Sequence, residues 1–147
     1  MSPDHPSVAN TCYNLADLLY QKGDYAAAEP LYRRALAMYE ATLGPDHPSV
    51  AMSVNNLACL LSKMGDYAAA EPLHRCALAI YEAALGPDHP SVANSCYNMS
   101  IFVARQGDPV EAQTLARRAL TIREAALGPH HPRTIDARQW IDRLSRH

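Results

Sequence analysis

The sequence predicts an all-α chain: a solenoid of three helix–turn–helix repeats and a C-terminal capping helix, forming one domain over residues 1–147. Three observations carry that prediction. The string Pro-Asp-His-Pro-Ser-Val-Ala begins at Pro3, Pro45 and Pro87, a step of 42 residues. All six glycines keep the same period, as Gly23, Gly65 and Gly107 and as Gly44, Gly86 and Gly128. Between the glycines, apolar and small residues recur at helical spacing. Repeats 3–44 and 45–86 agree at 30 of 42 positions, and repeats 45–86 and 87–128 at 22. Two unrelated helical segments would not match to that degree, so the array arose by duplication.

The first helix of each repeat opens at the second proline of the Pro-Asp-His-Pro loop, a residue suited to the first helical position. Its core stripe in the first repeat is Val8, Cys12, Leu15, Ala16 and Leu19. It stops at a glycine suited to a left-handed cap, and the Asp24, Asp66 and Asp108 that follow suit the N-caps of the second helices. The second helix of the first repeat buries Tyr25, Ala28, Leu31, Tyr32, Ala35, Leu36 and Tyr39. Each second helix ends at Gly-Pro, where a left-handed glycine is again expected, followed by a residue that cannot continue the helix. The predicted helices are therefore 6–22, 24–43, 48–64, 66–85, 90–106 and 109–127, with a lone helix near 132–145.

Ala28 and Ala35, with Ala70, Ala77, Ala112 and Ala119, allow two helix backbones to approach closely. Pro30 and Pro72 each remove one backbone hydrogen bond and are expected to bend their helices; Thr114 stands there in the third repeat. The tail, 129–147, starts like a fourth repeat and holds one helix. Ile141 and Leu144 can cover the last apolar face, while Arg133, Asp136, Arg138, Asp142, Arg143 and Arg146 meet water, as a terminal cap requires. The N-terminal end has no such cap, and its outward face is expected to be sticky.

The pattern Cys12-x2-Leu15-Ala16-x2-Leu19, Gly23-x-Tyr25, Ala28-x3-Tyr32 and Ala35 resembles the tetratricopeptide repeat (TPR), with Cys12 where the family usually has tryptophan. The ordinary repeat is shorter; here the second helix runs on through Tyr39 to Leu43. This longer repeat resembles those of kinesin light chain and of many bacterial proteins, through His-Pro-Ser-Val-Ala (47–51), Asn55-Asn56-Leu57-Ala58, Gly65-Asp66-Tyr67, Ala70-Glu71-Pro72-Leu73 and Ala77 to Glu82. The competing architecture is a HEAT or armadillo array, whose periods run about 40–47, but the glycine, tyrosine and alanine positions speak against it. The resemblance implies a right-handed superhelical solenoid whose first helices line a concave groove. It also implies a protein-interaction scaffold that binds an extended peptide segment of a partner.

Composition narrows the function further. Apolar residues make up 48% and charged residues 19%, with a formal net charge of -2. That balance supports a core and argues against nucleic acid as a partner. No apolar run is long enough to span a membrane. Cys12, Cys59, Cys76 and Cys96 match no zinc spacing and read as reduced thiols, which points to the cytoplasm. His5, His47, His89 and His131 recur once per loop; an active site occurs once, so repetition favours a structural lock. His74 stands where Tyr32 does and reads as a packed core residue. With no nucleophile triad or phosphate loop, the sequence predicts no enzyme activity, no cofactor and no metal.

Groove positions lie off the core stripe of the first helices. They are Asn10, Tyr13, Asn14 and Asp17 in the first repeat, Asn55, Asn56 and Lys63 in the second, and Asn94, Tyr97, Asn98 and Arg105 in the third; the cap adds Trp140 and Arg143. Asn14, Asn56 and Asn98 are one position seen three times. An asparagine amide both donates and accepts, so it can pair with peptide backbone; the matching asparagines of kinesin light chain-like arrays contact cargo peptide, as the resemblance implies. The same residues could instead bond between adjacent helices and fix their angle. Trp140 takes the ladder position in the tail, either closing the groove or packing as part of the cap. Residues 1–104 carry five basic and ten acidic groups, residues 105–147 eight basic and five acidic. Lys63, Arg105 and Arg143 are thus candidates for attracting an acidic partner, or ordinary solvated surface. The alternative function is structural: self-association end to end through the uncapped N-terminal repeat, aided by the unequal charge of the two halves.

Overall fold

The computed structural model describes residues 6–146. The N-terminal residues before Pro6, among them His5 of the first loop, lie outside them. The described residues form seven helices and no strand: α1 (Pro6–Gln21), α2 (Tyr25–Leu43), α3 (Pro48–Lys63), α4 (Tyr67–Leu85), α5 (Pro90–Arg105), α6 (Pro109–Leu127) and α7 (Pro132–Ser145). Every predicted helix is present, with ends within one residue of the expected ones. α2 and α4 continue through Pro30 and Pro72. The chain divides into two compact parts, residues 1–80 and 81–147. In the first, α1 packs on α2 and α2 on α3; in the second, α5 packs on α6 and α6 on α7.

Small residues set the helix spacing. Ala28, Ala35, Ala70, Ala77, Ala112 and Ala119 are all fully buried, as close helix packing requires. The larger core residues include Tyr32, Tyr39, Leu57 and Leu60 in the N-terminal part and Val92, Cys96 and Met99 in the C-terminal part.

The two sets of glycines do different work. Gly23 sits at φ +83°, where Asp24 N–H bonds Leu19 C=O at 2.9 Å and Gly23 N–H bonds Tyr20 C=O at 3.0 Å, the expected left-handed cap. Gly44 differs from expectation: φ is 93° but ψ is 155°, outside the left-handed helical region and open to glycine alone. The chain leaves α2 extended and then closes a turn, with His47 N–H bonded to Gly44 C=O at 3.3 Å. Pro45 occupies the second turn position, for which its fixed φ is suited.

The loop histidines gain a specific role. His47 and His89 are the N-caps of α3 and α5, each accepting through Nδ1 from the N–H two residues on, Ser49 and Ser91, at 3.0 Å. His131 caps α7 through Arg133 N–H at 3.1 Å. The second helices are capped by aspartate: Asp24 accepts from Ala27 N–H at 3.3 Å and Asp108 from Glu111 N–H at 3.1 Å.

Candidate functional site

In the N-terminal part the off-core faces of α1 and α3 carry a chain of polar contacts. Tyr39 donates its hydroxyl to Asn10 Oδ1, tying α2 to α1. Tyr32 donates to Asp17 Oδ1 at 3.2 Å, and Gln21 donates to Asp17 Oδ2 at 3.3 Å. The Tyr32 hydroxyl is held strongly in its neutral form, first by burial and then by the Asp17 charge. The ring of Tyr13 meets that of Tyr32 edge-on, centroids 5.8 Å apart. Asn56 Nδ2 donates to the Tyr13 hydroxyl, reaching from α3 to α1.

Asn56 therefore bonds between neighbouring first helices, one of the two roles open to it in the sequence. Asn14, at the same position one repeat earlier, is exposed, as are Asn10 and Lys63. Asn55 is 8% exposed, and its Oδ1 has no hydrogen-bond partner among the described residues. It lies turned toward the core, whereas its counterparts Tyr13 and Tyr97 are half-buried.

The C-terminal part is organised around one residue that sequence reasoning did not single out. Arg123 is 4% exposed. It donates Nη1 to Arg133 C=O at 2.9 Å and Nη2 to Asn94 Oδ1 at 3.1 Å, and its guanidinium lies 4.6 Å from the centroid of Tyr97. Burial lowers its pKa from the usual arginine value. Arg123 stands where Tyr39 and Tyr81 stand in the other repeats, and Asn94 where Asn10 stands. The Tyr39–Asn10 contact and the Arg123–Asn94 contact are one joint built from two chemistries. The available signal was a lone charged residue in the core-facing register of an otherwise duplicated helix.

Trp140 is half-buried and donates Nε1 to Ser100 Oγ at 2.8 Å, while Ser100 donates to Ala112 C=O at 2.6 Å. This bond ties α7 to α5 and gives Trp140 a part in the cap. Arg143 is exposed and lies 5.7 Å from the Trp140 ring centroid; with Gln139, Asp142 and Arg146 it lines a cleft of about 240 Å³. Arg105 is exposed and Asn98 half-buried. No group of three or more potential metal ligands occurs among the described residues.

Among the groove positions, Asn10, Asn14 and Lys63 are exposed in the N-terminal part, and Arg105 and Arg143 in the C-terminal part. The family model of the tetratricopeptide repeat matches residues 7–83 and 61–125. The chain belongs to the tetratricopeptide repeat family. Its TPR helices are similar to the crystal structure of nearly identical TPR-like repeats from a Podosopora anserina kinesin light chain candidate, with 26% identity and a TM-score of 0.85 over 95% of this chain and 66% of that one. A single-residue variant of that array gives 26% identity and a TM-score of 0.84 over 98% and 67%. BtubC (BKLC) from P. vanneervenii shares the TPR fold at 23% identity, with a TM-score of 0.79 over 97% and 64%. The chain thus spans about two thirds of the length of these solved arrays. No curated protein matches it. The array is of the kinesin light chain-like TPR type, and TPR repeats generally mediate protein–protein interaction. No helix among the described residues is long and apolar enough to cross a membrane.

Proposed function

We propose that this TPR array is a non-enzymatic scaffold that binds an extended segment of a partner protein along the exposed faces of its first helices. The observation that carries the reading is the repeated asparagine position on those faces, combined with family membership. Neighbouring helices pack about 8–10 Å apart and an extended peptide advances about 3.3–3.6 Å per residue, so one asparagine per repeat matches about every third peptide residue. Asn14 and Asn98 supply amides for peptide backbone; Asn56 does so while holding Tyr13 in place. Tyr13 and Tyr97 offer rings to apolar ligand side chains. Lys63, Arg105 and Arg143 favour acidic groups on the partner. Cys12, Cys76 and Cys96 are free thiols, which suits a reducing, cytoplasmic setting.

The test is an array of extended peptides, followed by affinity and melting measured on the same samples. Asn14→Ala should weaken binding of a selected peptide about five- to a hundredfold, the loss of one buried hydrogen-bond pair, at unchanged melting temperature. Asn56→Ala should lower both affinity and melting temperature, because the bond from Asn56 to the Tyr13 hydroxyl is lost. Lys63→Glu and Arg105→Glu should weaken acidic peptides, by less as salt is added. Intact affinity in Asn14→Ala and in both charge reversals would end the reading. End-to-end stacking of copies has less support, because α7 presents exposed Arg138, Asp142 and Ser145 where earlier first helices bury Cys96, Ser100 and Val103.

A further inference from the structure

Residues 39–51 and 81–93 differ only where Thr42 stands for Ala84. Both stretches close the same loop. Gly44 and Gly86 share a φ of 93°, and the N–H groups of His47 and His89 bond the C=O of those glycines at 3.3 and 3.4 Å. Over the second of these loops α6 lays an arginine. Arg118 Nη1 lies 3.3 Å from Glu82 Oε1, and Nη2 donates to Pro87 C=O at 3.4 Å. The Arg118 pKa is raised, first by the bond to Glu82, with the Asp88 charge among those that add to it.

One repeat earlier the same loop meets a different residue. The position of Arg118 is Arg34 in the first repeat and Cys76 in the second. Cys76, Glu40 and Asp46 are all exposed. Partial burial pushes the Cys76 thiol pKa up, and the charges of Glu40 and Asp46 push it further, so both carboxylates act on this side chain. No ion pair or side-chain hydrogen bond engages Glu40 or Asp46 among the described residues. Glu40, Pro45 C=O and Asp46 thus repeat the cradle of Glu82, Pro87 C=O and Asp88, with a thiol at the position of the guanidinium.

We propose that this cradle docks an arginine side chain of a partner protein. The ligand chemistry is read from the third repeat, where the chain supplies that group itself. A guanidinium serves the carboxylate and the carbonyl at once through its planar fork, which a compact ammonium does not reproduce. A divalent metal fits less well, because no group of three or more potential metal ligands occurs among the described residues. The surrounding charge favours a cation: residues 1–104 carry five basic and ten acidic groups. The cradle belongs to α2, the α2–α3 loop and α4. It shares no residue with the first-helix positions of the proposed peptide site, so either can hold without the other.

The experiment has two arms, both on the full chain. Cys76→Arg should melt about 1–4 °C above Cys76→Ser, the gain of one exposed ion pair, and adding Glu40→Gln to both should erase the difference. In the parent, alkylation of Cys76 by iodoacetamide is followed by mass spectrometry. N-acetylarginine amide should slow it about twofold at half occupancy. N-acetyllysine amide and sodium chloride at equal ionic strength should slow it less. Glu40→Gln with Asp46→Asn should remove the protection, each protein being compared with itself. Equal slowing by all three additives overturns the inference, as does a Cys76→Arg gain that is absent or that survives Glu40→Gln. So does protection by micromolar zinc without protection by the arginine amide, since that would give the cradle to a metal.

Discussion

The joint at Arg123 gives the sharpest energetic prediction. Replacing Arg123 by alanine removes the donors at 2.9 Å to Arg133 C=O and 3.1 Å to Asn94 Oδ1, together with the cation over Tyr97. Hydrogen bonds to charged groups contribute about 1.5–3 kcal/mol each. Because Arg123 is 4% exposed, water does not take over from it in the intact fold. The acceptors are left without partners and a cavity opens, so Arg123→Ala should cost about 3–5 kcal/mol. Arg123→Tyr installs the residue that stands there in the other two repeats, and Tyr39 already bonds the equivalent asparagine, Asn10. It should recover most of the loss, to within about 1–2 kcal/mol of the parent. Urea unfolding followed by circular dichroism measures all three proteins. An alanine variant as stable as the parent would show that the cation's burial cancels its contacts. A tyrosine variant as unstable as the alanine would show that the two joints are not equivalent.

Other expectations concern the core. Ala70 is fully buried, so Ala70→Leu should overpack the helix contact and lower stability by about 1–3 kcal/mol; an unchanged thermal midpoint would refute the packing. His74 is 2% exposed, and burial lowers its pKa from 6.5 to about 4. The unfolded chain therefore takes up a proton at His74 before the folded one does. Its contribution to stability is full above pH 6.5 and is lost as pH falls from there toward 4, by about 3 kcal/mol from the size of the shift. His74→Tyr, the residue found at this position in the first repeat, should flatten the stability profile in that window; an unaltered slope in urea melts between pH 4 and 7 would refute the assignment.

The repeat architecture was legible because glycine, proline and apolar periodicity all report local backbone requirements. Gly23 and Asp24 end one helix and start the next whatever surrounds them. The geometry at Gly44 was less legible: composition signals positive φ, but ψ depends on the turn that Pro45 and His47 close. The histidine caps were visible only as a repeated loop residue, since an imidazole becomes a cap through the backbone direction around it. On the groove face, sequence spacing did not separate Asn55, turned toward the core, from Asn56 beside it. Arg123 was concealed by its residue type, because arginine in a helix is read as solvated surface. Aligned against Tyr39 and Tyr81, it stands out as a charge in a buried register, and Asn94 is its visible partner. Leu15 was expected in the core stripe of the first helix but is 46% exposed, because no earlier helix covers the face that its counterpart Leu57 buries.

The binding claim itself is tested most directly by mapping a selected peptide onto the chain by backbone amide NMR. The account predicts shifts concentrated on the first helices, at Asn14, Asn56, Lys63, Asn98 and Arg105, with the second-helix surface around Arg33, Arg75 and Arg117 unchanged. Shifts confined to that second-helix surface, with the asparagine positions silent, would contradict it.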